Sequence, residues 1–252
     1  MSHQLCGSDW QATTLVFELL DEIDCIPETF VDVGANESQW GRQSTRRYPA
    51  VPILSFEPNP DCHPIGTIFP IALSDSPGSG YFIERGGMEI TEDKQGFASF
   101  QVARFDSLPD LSFARPAVLR VDCESYTARV LKGFGSRIHE FAVVIVEMWN
   151  HSRGVGSFRN QQAEMWRFML DNEFRGARAI ATEFSTTEVP FYYMAFYKLP
   201  LHIHARRSRG FPSPTISRMP CDEYLRSESV KSVTSTNTLR PYVVSGYDLV
   251  AK

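Results

Sequence analysis

Phe30-Val31-Asp32-Val33-Gly34-Ala35-Asn36 is a short apolar run that stops at a glycine and passes into a small residue and an amide. Phe30, Val31 and Val33 suit a strand buried on both faces. Gly34 permits a tight turn and a close backbone approach that a bulkier residue would block. Asp32 precedes that turn by two residues, near the carboxyl end of the strand, where open α/β sheets place their ligand crevice. A carboxylate there is poorly suited to a core and well suited to a cationic group of a ligand. The alternative is that Asp32 caps the turn and Gly34 is punctuation.

Outward from this stretch, the pattern alternates between strands and helices. Upstream, Leu15, Val16, Leu19, Leu20 and Ile23 fall at helical spacing within residues 10–24, and Pro27 closes that helix. Downstream, residues 38–47 read as a helix interrupted by Gly41, and Val51–Phe56 as a second strand ending in Glu57-Pro58-Asn59-Pro60. Glu57 follows Gly34 at roughly the 20-residue distance at which an acidic strand end accepts hydrogen bonds from ribose hydroxyls. A solvated strand-end carboxylate is the simpler reading of Glu57 alone. Residues 61–69 leave little room for a crossover helix.

Phe69–Leu73, Gly80–Glu84 and Ala98–Phe105 read as further strands. Ala117–Val121 is a buried strand ending in Asp122-Cys123-Glu124-Ser125, and a helix follows to Gly133 or Gly135. Phe141–Val146 is the most apolar strand and runs into Glu147. A helix over 160–174 and a closing hairpin of 177–184 with 191–199 complete the pattern. Such alternation describes a doubly wound α/β sheet. Residues 201–252, with His202, His204, Arg206, Arg207 and Arg209 followed by Pro-, Ser- and Thr-rich sequence, read as an extension with little regular structure and of unknown role. The expected division is a helical segment over 1–28, a cofactor-binding domain over 29–200 and the extension over 201–252.

Composition narrows the function. The chain of 252 residues with 42% hydrophobic content suits one α/β domain with additions. A net charge of −5 gives no electrostatic case for nucleic acid as the partner. Five scattered cysteines without a Cys-x-x-Cys pair argue against a disulfide framework or zinc ribbon and point to a reducing, cytoplasmic setting. Residues 1–10 lack the basic start and apolar block of a signal peptide, and no run approaches the ~18 apolar residues of a membrane span.

A dinucleotide fingerprint wants Gly-x-Gly-x-x-Gly, and here Asn36 and Gln39 occupy the second and third glycine positions. NAD is therefore poorly supported. An Asp two residues before the glycine makes better sense against a positively charged aminoacyl group, such as that of S-adenosylmethionine, whose sulfonium is also drawn to carboxylates.

At this point the chain resembles the FkbM-type S-adenosylmethionine-dependent methyltransferases. Val31–Asn36 is similar to that family's first motif, Phe56-Glu57-Pro58 to its second, and Ile71–Asp75 with Gly78 to its third-strand segment. Phe105-Asp106-Ser107-Leu108 resembles its Leu-Asp-x-Leu element. Leu119–Tyr126, running on to Val130–Gly133, resembles its Lys-Ile-Asp-Val-Glu-Gly block, and Val144–Glu147 its fifth strand. The likeness covers roughly residues 29–150. It implies a Rossmann-like class I methyltransferase sheet with a C-terminal hairpin, and S-adenosyl-L-methionine as cofactor. It further implies O-methylation of a hydroxyl on a sugar, glycan or secondary metabolite.

By this resemblance Asp32, Gly34 and Asn36 hold the methionine end, Glu57 the ribose and Asp75 the adenine amine. Asp122 and Glu124 lie where the methyl group leaves sulfur. Either serves as general base, binds a metal that polarises the hydroxyl, or orients the acceptor. His151 is a second base candidate. Two positions depart from the family pattern: Ser38 and Ser125 stand where it has glycines. Serine is small enough for cofactor approach if neither position requires a positive φ. These changes motivate the alternative of a lapsed, cofactor-binding or regulatory protein of the same fold.

Overall fold

The computed structural model describes residues 7–84, 88–91, 99–108, 110–149, 156–181, 191–198 and 248–250. Helix α1 (Gly7–Glu22) buries Val16, Leu19 and Leu20, three of the residues whose spacing predicts it. It leads into β1 (Thr29–Val33), α2 (Gln39–Arg47) and β2 (Ile53–Phe56). The β2–β3 connection carries no helix, as its length predicts. Ser55 Oγ donates to the Ile65 carbonyl at 2.7 Å, holding it flat along β2.

The expected strand over 69–73 divides in two. β3 (Thr67–Phe69) pairs with β2, whereas β4 (Ile71–Leu73) leaves for a second sheet. Pro70 stands between them, and a residue with fixed φ and no N–H cannot carry one ladder through. The second sheet orders its strands β4-β7-β5-β6, with β5 Gly78–Glu84, β6 Met88–Thr91 and β7 Ser99–Ala103.

Returning to the main sheet, β8 (Ala117–Val121) is followed by a 3-10 turn at Glu124–Tyr126 and by α3 (Thr127–Gly133). β9 (Phe141–Trp149) outruns its expected end, so Glu147 lies inside the strand rather than after it. α4 (Gly156–Asp171), β10 (Gly176–Ala181) and β11 (Phe191–Tyr197) follow. β12 (Asp248–Val250) pairs with β10, placing three residues of the C-terminal extension in the sheet.

The main sheet runs β12-β10-β11-β9-β8-β1-β2-β3. β3, β2, β1, β8 and β9 are mutually parallel, and β11 lies antiparallel between β9 and β10. This is the expected doubly wound, Rossmann-like α/β sheet with its closing hairpin. The period-2 alternation of its strands feeds two cores. Phe30, Ile53, Val118 and Ile145 pack with α1 and Trp40 of α2 on one face. Val31, Phe56, Leu119 and Val146 pack with α3 and α4 on the other. Phe105 anchors the second core, its ring stacked on Phe134 at 4.2 Å between centroids; burying such a ring contributes about 2–3 kcal/mol. Among the described residues no helix is long and apolar enough to cross a membrane.

Candidate functional site

The chain passes from β1 outward to β2 and β3, then returns to lay β8 on the other side of β1. The strand order therefore reverses between β1 and β8, and the carboxyl ends of those strands mark the topological switch point. Gly34 turns there with φ +74, and a Cβ on it would lie 2.0 Å from the Asp122 carbonyl oxygen. Only glycine lets the turn after β1 lie against the main chain leaving β8.

Asn36 continues the turn at φ 46, and its N–H donates to Glu57 Oε2 at 2.8 Å. The N–H of Asn59 donates to Glu57 Oε1 at 2.9 Å. The acidic end of β2 thus braces the Gly34 turn. Glu57 is 3% exposed. Burial pushes its carboxyl above the usual range, although the N–H groups of Asn59 and Asn36 pull the other way; the charge of Asp32 adds to the rise. Each carboxylate oxygen keeps acceptor capacity beyond its one N–H. Cys62 Sγ donates to Asn36 Oδ1 at 3.3 Å and completes this corner.

Asp32 is sealed beneath the turn, with no exposed surface. It stands in register with Arg120 of β8. Arg120 Nη1 donates to Asp32 Oδ1 at 3.0 Å, while Oδ2 is buried without a hydrogen-bond partner. Desolvation raises the Asp32 pKa; Arg120 opposes the rise and Asp122 adds to it. The other arm of the same guanidinium, Nη2, donates to Asp122 Oδ2 and, at 3.4 Å, to the Tyr193 hydroxyl. Tyr193 in turn donates to Asp122 Oδ2 at 3.1 Å, and its ring lies 5.7 Å from the guanidinium carbon. Burial would lower the Arg120 pKa, but the charge of Asp122 and the neighbouring Tyr193 and Asp32 hold it well above its ordinary value. Glu147, also buried, stands opposite Tyr193 in the β9–β11 register. Cys123 borders the turn, and burial, followed by Asp122 and Glu57, pushes its thiol well up.

Asp32, Gly34, Asn36, Glu57 and Asp122 are therefore brought together at one end of the sheet. Glu124 follows in the 3-10 turn with φ 48 and is exposed. Asp75 follows β4 and accepts from Arg129 Nε of α3 at 3.0 Å. Partial burial would raise Asp75, but the hydrogen bond and charge of Arg129, with the Ser74 hydroxyl, leave it below its ordinary value. Arg104 Nη1 also donates to the Asp75 carbonyl at 2.6 Å. His151, His202, His204, Arg206, Arg207 and Arg209 lie outside the described residues. Among the described residues no group of three or more His, Cys, Asp and Glu is arranged to hold a metal ion.

The two departures from the glycine pattern differ. Ser38 takes the left-handed conformation at φ 55, ψ 40, so the condition under which serine would be harmless is not met there. Its buried hydroxyl has no hydrogen-bond partner and sits 2.5 Å from where a Cβ on Gly41 would lie. In the second block the left-handed residue is Glu124, one before Ser125.

Arg120 and Tyr193 are not among the residues that sequence reading selects for the site. A signal for Arg120 exists: it is the one cation in the apolar run Ala117–Val121, two residues before Asp122. Its meaning depends on β8 lying beside β1, which strand order alone does not reveal.

No protein-family model matches the chain, and no curated protein matches it. Among solved structures, the chain aligns with the precorrin-6y C5,15-methyltransferase of Geobacter metallireducens GS-15 at 11% identity, over 73% of this chain and 88% of that one, with a TM-score of 0.37. It also aligns with the plantazolicin methyltransferase BpumL in complex with SAH at 6% identity, over 75% of this chain and 82% of that one, with a TM-score of 0.39. At these scores neither likeness carries weight for this chain.

Proposed function

We propose that this protein is a methyltransferase that uses S-adenosyl-L-methionine to methylate the oxygen of a hydroxyl on a sugar, glycan or secondary metabolite, in the cytoplasm. The observation that carries the reading is the position of β11. A dinucleotide-binding sheet continues its 3-2-1-4-5-6 order in parallel. Here the place after β9 is taken by an antiparallel strand, as in the class I methyltransferase sheet that the resemblance implies. Together with the missing fingerprint glycines, this disfavours a nicotinamide-dependent oxidoreductase.

The residues fit the cofactor. Gly34 and Asn36 offer main chain at the switch point for its methionine end. Asp32, sealed below them, acts there through its charge. Glu57 has acceptor capacity left for ribose hydroxyls, which are donors. Asp75, at the end of β4, is assigned to the adenine amine. Asp32 and Asp122 share the one guanidinium of Arg120, and Glu57 stands at the same turn without an ion-pair partner among the described residues; that excess of carboxylates favours a positively charged ligand.

When bound, the cofactor supplies an electrophilic methyl group on a sulfonium. The chain's own part is to position the acceptor and to take its hydroxyl proton, a role assigned to Asp122 or Glu124, with His151 as the second base candidate. The strained Ser38 favours one further reading, a protein that keeps the cofactor and has lost turnover.

Calorimetric titration of the full chain with S-adenosylmethionine, S-adenosylhomocysteine and NADH tests the proposal. Saturable binding of the first two, lost in Glu57→Ala, is expected, followed by transfer of labelled methyl to a hydroxylated acceptor. Binding without transfer to any acceptor would favour the lapsed protein. Binding of NADH alone would overturn the proposal.

A further inference from the structure

Asp122 is held on one side only. Its Oδ2 receives Arg120 Nη2 and the Tyr193 hydroxyl at 3.1 Å, whereas its Oδ1 has no hydrogen bond among the described residues. Both donors are fixed in turn. Arg120 is 11% exposed and tied through its other arm to Asp32 at 3.0 Å, and the Tyr193 ring is buried in the sheet beside the guanidinium. The restraint draws on β1, β8 and β11, three strands distant in sequence, so it cannot arise from the turn after β8 alone. Planar, two-armed contact of this kind is something Arg provides and Lys does not. The Asp122 side chain keeps 18% of its surface exposed. One oxygen is spent on the fold and one is left for an incoming group.

We infer that Arg120 and Tyr193 are positioning residues that lock Asp122 Oδ2 and thereby present Oδ1, at a fixed place beside the Gly34 turn, to the positively charged sulfonium end of the cofactor. The inference rests on the methyltransferase reading. It assigns functions to two residues to which the resemblance gives no role, Arg120 inside the Leu119–Tyr126 block and Tyr193 on the closing hairpin. It also predicts that the site distinguishes the charged cofactor from its neutral demethylated product. An aimed carboxylate oxygen attracts a sulfonium and gains nothing from a thioether.

The test is titration calorimetry of the full chain with S-adenosylmethionine and, separately, S-adenosylhomocysteine, in wild type, Asp122→Asn, Tyr193→Phe and Arg120→Lys, with thermal melts alongside. Wild type is expected to show the highest ratio of sulfonium to thioether affinity. Asp122→Asn should lower that ratio about tenfold or more, the range of a lost contact to a charged group. Tyr193→Phe should lower it in the same direction by about threefold, with affinity for the thioether nearly unchanged. Arg120→Lys, which keeps the charge and loses the fork, should follow Tyr193→Phe; it also serves if the latter does not fold. A purely structural role would weaken both ligands equally. An unchanged ratio in both positioning variants, with Asp122→Asn shifting it, overturns the inference and leaves the methyltransferase reading standing. Absence of binding by wild type overturns that reading, and the inference with it.

Discussion

Glu57 Oε2 accepts the main-chain N–H of Asn36 at 2.8 Å, so the carboxylate that ends β2 holds the turn that ends β1. Two strand ends that sequence reading treats as separate ligand contacts are one unit. Glu57→Gln keeps a single acceptor oxygen, and Glu57→Ala keeps none. We expect Ala to cost about 2 kcal/mol of stability by leaving the N–H groups of Asn36 and Asn59 without a partner, and Gln about half that. Urea unfolding curves measure both.

The same residue makes cofactor binding depend on pH. Burial raises the Glu57 pKa in the folded chain, so its protonated form is favoured there. Its contribution to stability is full below the unfolded value and is lost as pH rises through the folded one. Ribose hydroxyls, however, donate best to the ionised form. S-adenosylhomocysteine affinity should therefore rise with pH above the ordinary glutamate range, and the rise should be absent in Glu57→Gln. A flat wild-type profile would remove Glu57 from the ribose.

Ser38→Gly should stabilise the protein. The substitution relieves a left-handed serine and removes a buried hydroxyl that has no hydrogen-bond partner. Those two gains, about 1–2 kcal/mol each, exceed the roughly 1 kcal/mol of chain entropy that glycine costs. We expect a net gain of about 1–3 kcal/mol, seen as a melting temperature higher by several degrees. A lower melting temperature would show that the serine is tolerated without strain.

Gly34→Ala should act in the opposite direction. The new Cβ meets the Asp122 carbonyl at 2.0 Å in a backbone region that alanine disfavours. A loss of about 3 kcal/mol is expected from the combined clash and strain, together with loss of cofactor binding. Equilibrium unfolding and calorimetry measure the two effects independently.

Asp106 sets part of the acid limit of stability. Hydrogen bonds from Arg104 Nε at 2.8 Å and Nη2 at 2.5 Å hold its carboxyl below the usual range against a smaller effect of burial. A depressed carboxylate contributes stability above its unfolded pKa and loses it as pH falls through the folded one. Asp106→Asn should cost about 1 kcal/mol at neutral pH, and the difference should shrink as pH falls below the ordinary aspartate range and through the depressed folded-state value, where the wild-type group itself protonates. A constant difference across that range would show that the pair contributes through packing alone.

Much of the main sheet is legible because each strand of its parallel half is an apolar run closed by a carboxylate or a turn residue. Asp32, Glu57 and Asp122 all mark strand ends on one side, and the structure gathers them there. What could not be read depends on partners distant in sequence. Pro70 marks a break between Phe69 and Ile71, but nothing local says that the two belong to different sheets. Arg120 looks like a flaw in an apolar strand until β1 is laid beside it and Asp32 becomes its counter-ion. Ser38 fits a short polar link, and only the turn geometry shows that its backbone needs what a glycine gives.

Pro70 has a mechanical consequence. A single residue separates the last strand of the main sheet from the first strand of the small one, so no tether lies between them. Phe69, just before it, stacks on Phe56 at 4.7 Å, and Leu73, just after it, enters the same core. The small sheet cannot swing as an appendage or be excised as a module. A load applied to it reaches the strand beside Glu57 within one peptide unit.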